Sequence, residues 1–393
     1  MSKNTKPLLA GFDGRAANTS ASLGVGVYCR NLLRELARLD SGLALRVYLD
    51  VEPRPDFPLR VDEADIRVLP AARFWTQRRL GPELRRDPPD VLLCPVSQAP
   101  LFSPCPTIVT NHGLVYYEEN GRRVMEPRDC LPLVTRAQRA LLWRLQVRCA
   151  SRILMVSEDS RRVFIEHTGI DPAKVFVTYL GHTPEFRPMT DNMQQQQVRN
   201  RYELPARFFL YTGRLGPRKN VVRIIQAFEL LRDSNPDLPH ELVLAGDKEW
   251  HAEPILHAAR ASRHADAIHM IGHVGHEDMP TLMTLADALI LVSLCESFGI
   301  PVVEAMACGT PVLTSNTTCM PEIVGEAAMA VPPTDVPAIA AAMHRLASDQ
   351  ELRERLVKDG FARAARFTWR NTALQTYDAV RSVTAENSRG AAP

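Results

Sequence analysis

Residues 288–315 read ALILVSLCESFGIPVVEAMACGTPVLTS, and this stretch decides the fold. The apolar runs Ala288–Val292 and Pro311–Thr314 each have the length of a buried strand. Between them a helical pattern runs from Pro301 to Cys308, and proline in the first turn of a helix loses no hydrogen bond. A strand, a helix and a second strand in this order predict a parallel βαβ unit.

The same alternation extends towards the amino terminus of this half of the chain. The predicted strands are Phe208–Thr212, Glu241–Ala245 and Ile268–Gly272, and the predicted helices are Val221–Arg232, Pro254–Ser262 and Glu277–Ala286. Strands that alternate with helices favour an α/β, doubly wound domain. Domains of this kind bind their ligands at the carboxyl ends of the strands.

The front half of the chain shows a similar pattern. The predicted strands are Leu8–Phe12, Val91–Cys94, Thr107–Thr110 and Arg152–Val156, and helical spacing joins Tyr28, Leu32, Leu36 and Leu39. The apolar runs stop between residues 185 and 200, where four consecutive glutamines are either a linker or the exposed face of a short helix. We therefore expect domains at 1–188 and 189–368, followed by a segment 369–393.

The composition is that of a globular protein with more than one domain. Of the 393 residues, 45% are hydrophobic and 23% charged, which excludes a disordered chain, a collagen and a disulfide-stapled miniprotein. The first residues carry no signal-peptide pattern, and the longest uncharged apolar run, Ala288–Cys295, is too short to span a bilayer. Eight scattered cysteines without a C-x-x-C spacing fit buried thiols in a reducing compartment. The sequence predicts a cytoplasmic protein.

The net charge of +2 conceals an asymmetry between the two halves. Residues 1–188 contain 27 Lys and Arg against 21 Asp and Glu, whereas the remainder contains 20 against 24. Arginines concentrate in Arg73–Arg86 and in Arg122–Arg152, and the second segment also holds Leu141, Leu142, Trp143 and Leu145. These segments are either solvated faces of core helices or, as we favour, peripheral contacts with an anionic membrane such as the inner face of the plasma membrane. Without a recognition motif, no nucleic-acid partner is expected.

A basic loop follows the first predicted strand of the rear half, with the sequence YTGRLGPRKN at residues 211–220. Gly213 and Gly216 allow sharp turns of the backbone, and Arg214, Arg218 and Lys219 add three cations. The positive end of the following helix strengthens the field. The loop is either a solvated basic turn or a binding site for a diphosphate.

Two carboxylates, Glu296 and Glu304, flank the start of the helix in the opening stretch. The backbone amides of Phe298, Gly299 and Ile300 lie at the amino terminus of that helix, where an anion binds readily. The carboxylates can accept hydrogen bonds from hydroxyl groups on either side of the anion. Each acid alone fits a structural role, but together with the basic loop they predict a site for a sugar attached to a phosphate.

These motifs resemble those of the retaining glycosyltransferases of family 4. The resemblance rests on G-R-x(4)-K at Gly213–Lys219, on LAGD at Leu244–Asp247 and on E-x(7)-E at Glu296–Glu304. It implies the GT-B fold, in which two doubly wound Rossmann-like domains face each other across a cleft. The segment after Trp369 resembles the crossover helix of the family, which returns to the first domain.

The resemblance also implies roles for individual residues of the rear half. Arg214 and Lys219 would hold the nucleotide diphosphate, Glu296 would contact the donor sugar, and Glu304 would bind the ribose hydroxyls. The backbone around His273 and Val274 would face the nucleobase.

Two features of the front half resemble the family as well. Gly24 and Gly26 resemble a glycine-rich loop near the donor phosphates, and His112 resembles a histidine that ends a strand near the donor sugar. The sequence departs from the usual family pattern at His112–Gly113, where H-D is more common.

No metal or organic cofactor is expected from the motifs. The chain has no D-x-D sequence to hold a metal on the diphosphate, and His273 and His276 lack further ligands for zinc. A P-loop and a dinucleotide-binding fingerprint are absent from the sequence.

The expected activity is transfer of a hexose from a nucleotide diphosphate sugar to a lipid-linked or oligosaccharide acceptor, such as a polyprenyl-diphosphate-linked glycan, in surface polysaccharide biosynthesis. GDP-mannose is the favoured donor, with UDP-glucose, UDP-N-acetylglucosamine and UDP-galactose open. A GT-B sugar-nucleotide epimerase and a non-catalytic sugar-nucleotide-binding protein are the alternatives.

Overall fold

The computed structural model describes residues 7–19, 24–60, 62–113, 116–119, 122–125, 141, 143–249 and 251–390. These residues form two compact units. The first contains the described residues of 7–113, 141–181 and 369–390, and the second contains those of 116–125 and 182–368.

The first unit contains a sheet of seven parallel strands in the order β3-β2-β1-β4-β5-β8-β9. In chain order, the strands up to residue 177 are β1 (Leu8–Asp13), β2 (Leu43–Leu49), β3 (Asp65–Val68), β4 (Val91–Cys94), β5 (Thr107–Asn111), β6 (Tyr116–Glu119), β7 (Arg122–Met125), β8 (Arg152–Met155) and β9 (Val175–Val177). β6 and β7 form a separate antiparallel pair. Every residue of β4 and β5 is buried, as expected for central strands covered on both faces.

Helices of the first unit connect these strands. They are α1 (Gly24–Arg38), α2 (Gly81–Arg86), α3 (143–149) and α4 (Glu158–Thr168). The apolar face of α1 is buried, including Tyr28, Leu32 and Leu36, which confirms the helical spacing seen in the sequence.

The second unit is a six-stranded parallel sheet in the order β12-β11-β10-β13-β14-β15. Its strands are β10 (Phe208–Thr212), β11 (Glu241–Ala245), β12 (Ile268–Gly272), β13 (Ala288–Leu291), β14 (Val312–Ser315) and β15 (Met329–Val331). The helices are α5 (Asn192–Arg201), α6 (Val221–Ser234), α7 (Glu253–Ala261), α8 (Met279–Leu285), α9 (Ile300–Ala307), α10 (Met320–Val324), α11 (Val336–Ser348) and α12 (Gln350–Ala364). The doubly wound α/β prediction is confirmed for both halves.

The strand order of the second sheet places the predicted motifs next to each other. β10 lies between β11 and β13, so the winding of the chain reverses between β10 and β13. Ligands of open α/β sheets bind outside the carboxyl ends of the strands at such a reversal. The loops that follow β10 and β13 carry the basic motif and the first glutamate, 77 residues apart in sequence.

The last helix, α13 (Trp369–Gly390), belongs to the first unit although it follows the second in sequence. It packs against α1. The Tyr377 hydroxyl donates to the Ser41 carbonyl over 2.8 Å, and the Thr372 hydroxyl donates to the Tyr179 carbonyl over 2.7 Å. The chain therefore returns to the first unit, as the crossover prediction required.

Three local features differ from the sequence analysis or add to it. The glutamine-rich segment is the helix α5, whose first amides are capped by the Asp191 carboxylate. Gly24 and Gly26 lie in the first turn of α1 and not in a loop, which corrects that part of the resemblance. β2 was not predicted because Arg46 interrupts its apolar run; that arginine is buried and pairs with Asp65 on β3 over 2.6 Å.

Candidate functional site

The loops after β10, β11 and β12 approach each other so closely that only glycine fits. Gly213 has φ +139° and donates its N–H to the Ala245 carbonyl over 3.0 Å. Gly246 has φ +145°, and a Cβ added there would lie 1.9 Å from the Gly213 carbonyl oxygen. The Gly246 N–H in turn donates to the Gly272 carbonyl over 2.7 Å. Backbone packing therefore requires glycine at position 246, whereas the positive φ of Gly213 favours glycine at the sharp turn predicted from the sequence.

The basic loop forms a short 3-10 turn over Pro217–Lys219 and is bonded to the loop after β13. The Leu294 N–H donates to the Arg218 carbonyl over 2.9 Å, and the Arg218 side chain donates to the Cys295 carbonyl over 3.0 Å. These bonds hold the two loops side by side at the carboxyl edge of the sheet.

Glu296 is the centre of this arrangement. Lys219 Nζ lies 2.5 Å from its Oε1, and Arg218 Nη1 lies 3.1 Å from its Oε2. The Ser293 hydroxyl also donates to Oε1 over 2.7 Å. The side chain is only 8% exposed, and its negative charge is compensated by these three hydrogen-bond donors.

The ionisation of Glu296 follows from this setting. Burial alone would raise the pKa of the carboxyl, but the charges of Lys219 and Arg218 and the hydrogen bonds from Lys219 and Ser293 lower it to about 2. Glu296 is therefore a carboxylate at every physiological pH.

Arg214, which the sequence predicts to hold the diphosphate, pairs with a carboxylate other than Glu296. Its guanidinium lies 3.4 Å from the Glu249 carboxylate, and half of its side chain is exposed. Lys219 reaches Glu296 together with Arg218, a residue that the sequence identified only as part of a basic loop. Arg218 and Lys219 lie in a 3-10 turn, whose three residues per turn differ from the periods of strands and α-helices. The periodicity of the sequence therefore does not predict where their side chains point.

The start of α9 has a sharply turned backbone. Gly299 has φ +87°, and a Cβ there would lie 2.6 Å from the Met320 methyl carbon. Phe298 is buried and packs edge-on against Phe367, with ring centroids 5.5 Å apart. The helix begins at Ile300 with Pro301 in its first turn, as predicted. Gly299 is thus required by its own conformation and by Met320, a reason that the sequence does not reveal.

Glu304 lies within α9 and differs electrostatically from Glu296. Burial raises the pKa of its carboxyl to about 8. Among the described residues, no side-chain or backbone donor is hydrogen-bonded to this carboxyl group. Burial and the neighbouring Glu304 also raise the pKa of the Cys308 thiol to about 12. Glu304 is therefore a largely protonated acid at neutral pH, available to hydroxyl groups of a ligand.

The loop after β12 carries His273 and Val274. The His273 ring lies 3.4 Å from the Asp247 carboxylate, and both side chains are mostly exposed, whereas Val274 is buried. The Gly275 N–H donates to the Tyr202 hydroxyl over 3.4 Å, and that hydroxyl donates to Asp278 over 2.9 Å. The backbone here is held by Tyr202 at the end of α5, a contact that no motif in the sequence indicated.

His112 lies in the first unit, directly after β5. Its Nε2 is 2.9 Å from the Pro95 carbonyl oxygen, and because a carbonyl can only accept, Nε2 carries the hydrogen. Burial lowers the pKa of the ring, and Tyr28 packs edge-on against it at 4.8 Å. His112 is therefore a neutral imidazole whose Nδ1 is an acceptor. Gly24, at the exposed end of α1, has open space around its Cα, and Gly26 is buried.

In the parts of the chain that the structure describes, no group of three or more His, Cys, Asp or Glu side chains is arranged to hold a metal ion.

Two family models match the chain and together span most of it. The model of the glycosyl transferases group 1 matches residues 193–363, and that of glycosyltransferase family 4 matches residues 23–186. The chain belongs to the family 4 glycosyltransferases. The matched ranges coincide with the two halves that carry the doubly wound sheets.

Named relatives of this family 4 chain include mannosyltransferases of Escherichia coli. An O-antigen chain mannosyltransferase B is 32% identical over 231 residues, which cover 58% of this chain and 60% of the relative. The serotype-specific mannosyltransferase WbdA is 30% identical over 227 residues, 57% of this chain and 28% of the relative. The chain thus aligns with less than two thirds of the length of these relatives.

Solved structures share the fold of this family 4 chain at low identity. Sucrose-phosphate synthase of Thermosynechococcus elongatus superposes with a TM-score of 0.74 and 20% identity, covering 96% of this chain and 100% of that one. HepE of Anabaena, crystallised with UDP and glucose, gives a TM-score of 0.72 at 17% identity, covering 95% of this chain and 99% of that one. These likenesses confirm the GT-B fold.

Proposed function

We propose that this family 4 chain is a retaining, metal-independent hexosyltransferase that uses GDP-mannose and extends a surface glycan. The observation that carries the proposal is the Lys219–Glu296–Arg218 cluster at the point where the winding of the second sheet reverses. The cluster supports the proposal because two cations and a buried carboxylate suit a diphosphate and the sugar attached to it.

The donor would enter with its diphosphate against the basic loop. Lys219 and Arg214 supply positive charge to the phosphates, and the amino terminus of α9 adds the partial positive charge of the helix dipole. Glu304, on the same helix, has a protonated carboxyl that can exchange hydrogen bonds with two ribose hydroxyls.

The reaction would break the bond between the anomeric carbon and the diphosphate oxygen. Lys219 and Arg214 stabilise the charge that develops on the leaving diphosphate. An acceptor hydroxyl attacks the anomeric carbon from the same face, and the departing phosphate oxygen takes its proton, so configuration is retained. Glu296 stabilises positive charge on the sugar ring. A covalent role for Glu296 is disfavoured because three hydrogen bonds already hold its oxygens.

The choice of mannose rests on the relatives. An O-antigen chain mannosyltransferase and WbdA are both named for mannosyl transfer, and each is 30% or more identical to this chain over the aligned residues. HepE, at 17% identity, was crystallised with UDP, which supports a nucleotide diphosphate sugar as the donor but does not identify the nucleobase of that donor. We therefore favour GDP-mannose over UDP-glucose, UDP-N-acetylglucosamine and UDP-galactose.

The chemistry of the basic loop supports the proposed metal independence. Fixed lysine and arginine side chains can neutralise a leaving diphosphate, a task that divalent ions perform in other transferases. The test is transfer in the presence of excess EDTA: full activity is expected, and activity that returns only on adding Mg²⁺ or Mn²⁺ would contradict this part of the proposal.

Incubation with the four sugar nucleotides, with and without short mannosides, tests the activity by mass spectrometry. GDP release from GDP-mannose together with a mannoside extended by one hexose is the expected result. A donor converted to a different sugar nucleotide would identify an epimerase, and binding without turnover would identify a non-catalytic binding protein.

A lipid-linked acceptor would bring the chain to a membrane surface through its first unit. Phe74 is 58% exposed with φ +58°, Phe102 is 81% exposed, and Arg73, Arg78 and Arg79 are exposed beside Phe74 in sequence. The Gln77 side chain bonds both to the Ala99 carbonyl and to the Leu101 N–H, so the loop carrying Phe102 lies against this basic segment. Exposed aromatic rings among arginines favour an anionic bilayer.

The second basic segment is only partly described. Leu141, Leu145, Arg144 and Arg148 are exposed on or beside α3, while Trp143 packs against Phe164. Residues 126–140 and Leu142 lie outside the described residues, as do the side chains of Arg122 and Arg123. No helix within the described part of the chain is long and apolar enough to cross a bilayer.

Co-sedimentation with vesicles containing phosphatidylglycerol tests the membrane contact. Binding at low salt that is lost in the double variant Arg78→Glu, Arg79→Glu is expected. Arg162→Ala is the control because Arg162 is also exposed but pairs with Asp159 and Glu166. Equal sedimentation of all three proteins would contradict the proposed surface.

A further inference from the structure

Asn220 ends the 3-10 turn of the basic loop and directly precedes the first residue of α6. Its φ is +61°, in the left-handed region. Asparagine at this position of a helix usually accepts a hydrogen bond from an N–H of the same helix. The Asn220 side chain makes no such bond. Its amide is directed elsewhere.

The amide of Asn220 connects three separate segments. Its Nδ2 donates to the Val292 carbonyl over 2.9 Å and to the Pro333 carbonyl over 2.6 Å, and its Oδ1 accepts from Arg223 Nη1 over 2.8 Å. Two carbonyl partners and one guanidinium partner fix the orientation of the amide unambiguously. The residue is only 3% exposed, so water does not replace these bonds readily.

The two ends of this connection are the two loops of the site. Asn220 directly follows Lys219, and Val292 directly precedes Ser293. Lys219 and Ser293 both bond to Oε1 of Glu296, over 2.5 and 2.7 Å. The buried Asn220 amide therefore bonds the residue next to Lys219 to the end of the strand that precedes Glu296, in addition to the bonds that Arg218 makes with Leu294 and Cys295.

We propose that Asn220 is a positioning residue that fixes Lys219 against Glu296 by bonding the loop after β10 to the end of β13. Its consequence for donor binding rests on the proposed function, whereas the fixing of Lys219 is independent of any donor. Without the Nδ2 bonds, the 3-10 turn loses its anchor at its carboxyl end, and Lys219 samples positions away from Glu296.

Asn220→Gly is the decisive variant because glycine adopts φ +61° without strain while the amide is lost. Asn220→Asp is the second variant, since it keeps the shape of the side chain but offers no N–H to either carbonyl. Arg223→Ala is the matched control, because it removes the partner of Oδ1 and leaves both Nδ2 bonds in place.

Lysine acetylation read by peptide mass spectrometry measures the position of Lys219 directly. The chain has six lysines, and the exposed Lys248 serves as an internal reference for Lys219, whose side chain is 11% exposed. We expect the reactivity of Lys219 relative to Lys248 to rise about tenfold in the Gly and Asp variants. A change of this size corresponds to the free energy of one or two buried hydrogen bonds, which these variants lose. Arg223→Ala should change it less than about twofold. An unchanged ratio in a folded Gly variant, or an equal rise in the control, would overturn the proposal.

Calorimetric titration with GDP and with UDP separates this proposal from the proposed function. We expect the wild type to bind a nucleotide and the Gly variant to bind the same nucleotide about tenfold more weakly. Equal nucleotide affinity of the wild type and the Gly variant would overturn the proposal that Asn220 affects donor binding. A wild type that binds neither nucleotide would contradict the proposed function, and the acetylation ratio would then decide the positioning role alone.

Discussion

Replacing Glu296 by glutamine tests the electrostatic account of the site. The substitution keeps the shape of the side chain and its hydrogen-bonding oxygen but removes the charge between Lys219 and Arg218. The pKa of the carboxyl is about 2 against an ordinary value of 4.5. Because each pH unit between these values corresponds to about 1.4 kcal/mol, the ionised carboxylate contributes about 3 kcal/mol to the free energy of unfolding.

The pH dependence of this contribution has a definite sign. The unfolded chain binds a proton at Glu296 below about pH 4.5, whereas the folded chain does so only near pH 2. The stabilisation is therefore complete above pH 4.5 and is lost as the pH falls towards 2. The difference between wild type and Glu296→Gln should be constant from pH 7 to 5.5 and smaller by about 1.4 kcal/mol at pH 3.5.

Urea unfolding of both proteins, followed by circular dichroism at pH 7, 5.5 and 3.5, measures this difference. Glu249→Gln is the matched control, because Glu249 pairs with the half-exposed Arg214 at 3.4 Å, and such surface pairs contribute about 1 kcal/mol or less. A difference for Glu296→Gln that is below about 1 kcal/mol, or that does not change with pH, would refute the assignment of charge.

Three further perturbations test other parts of the site. Lys219→Ala should lower the rate of donor consumption at least about a hundredfold with the fold retained in circular dichroism, because it removes a charge that stabilises the leaving group; unchanged turnover would contradict its role. Glu304→Gln should remove the fall in the free energy of unfolding that we expect between about pH 4.5 and 8, where the folded chain retains a proton that the unfolded chain releases. Gly246→Ala should lower the melting temperature sharply, since its Cβ would lie 1.9 Å from a carbonyl oxygen, whereas Gly24→Ala, with open space in a helix, should leave it equal or higher.

Nine of the thirteen strands in the two parallel sheets could be predicted because a parallel sheet buried on both faces requires continuous apolar runs, whereas β3, β9 and β15 have only three or four residues each and were not predicted. Val91–Cys94, Phe208–Thr212, Glu241–Ala245 and Ile268–Gly272 have the bounds expected from the sequence. β2 escaped prediction because the charge of Arg46 is neutralised by Asp65, a partner 19 residues away that no local pattern identifies.

The candidate site was predictable as a set of loops but not as a set of contacts. Strand order follows from the doubly wound pattern, so the loops after β10 and β13 could be expected at one edge. Which cation reaches Glu296 depends on the turn at Pro217–Lys219 and on the buried amide of Asn220, two features set by tertiary hydrogen bonds. The sequence therefore named Arg214 and Lys219, and the structure adds Arg218.

Under the proposed function, the contacts of Glu296 make donor binding an exchange of partners. A buried carboxylate is tolerated only while it is paired, and here its partner Lys219 is a cation that the diphosphate would also need. A diphosphate that draws Lys219 away leaves the charge of Glu296 partly uncompensated. The free-energy cost of this buried charge falls only if another hydrogen-bond donor reaches the carboxylate. The hydroxyl groups of a sugar are hydrogen-bond donors of this kind, whereas a nucleotide without its sugar has no hydroxyl group to place beside Glu296. Under the proposed function, the pairing of Lys219 with Glu296 therefore favours a nucleotide that carries its sugar over one that has lost it.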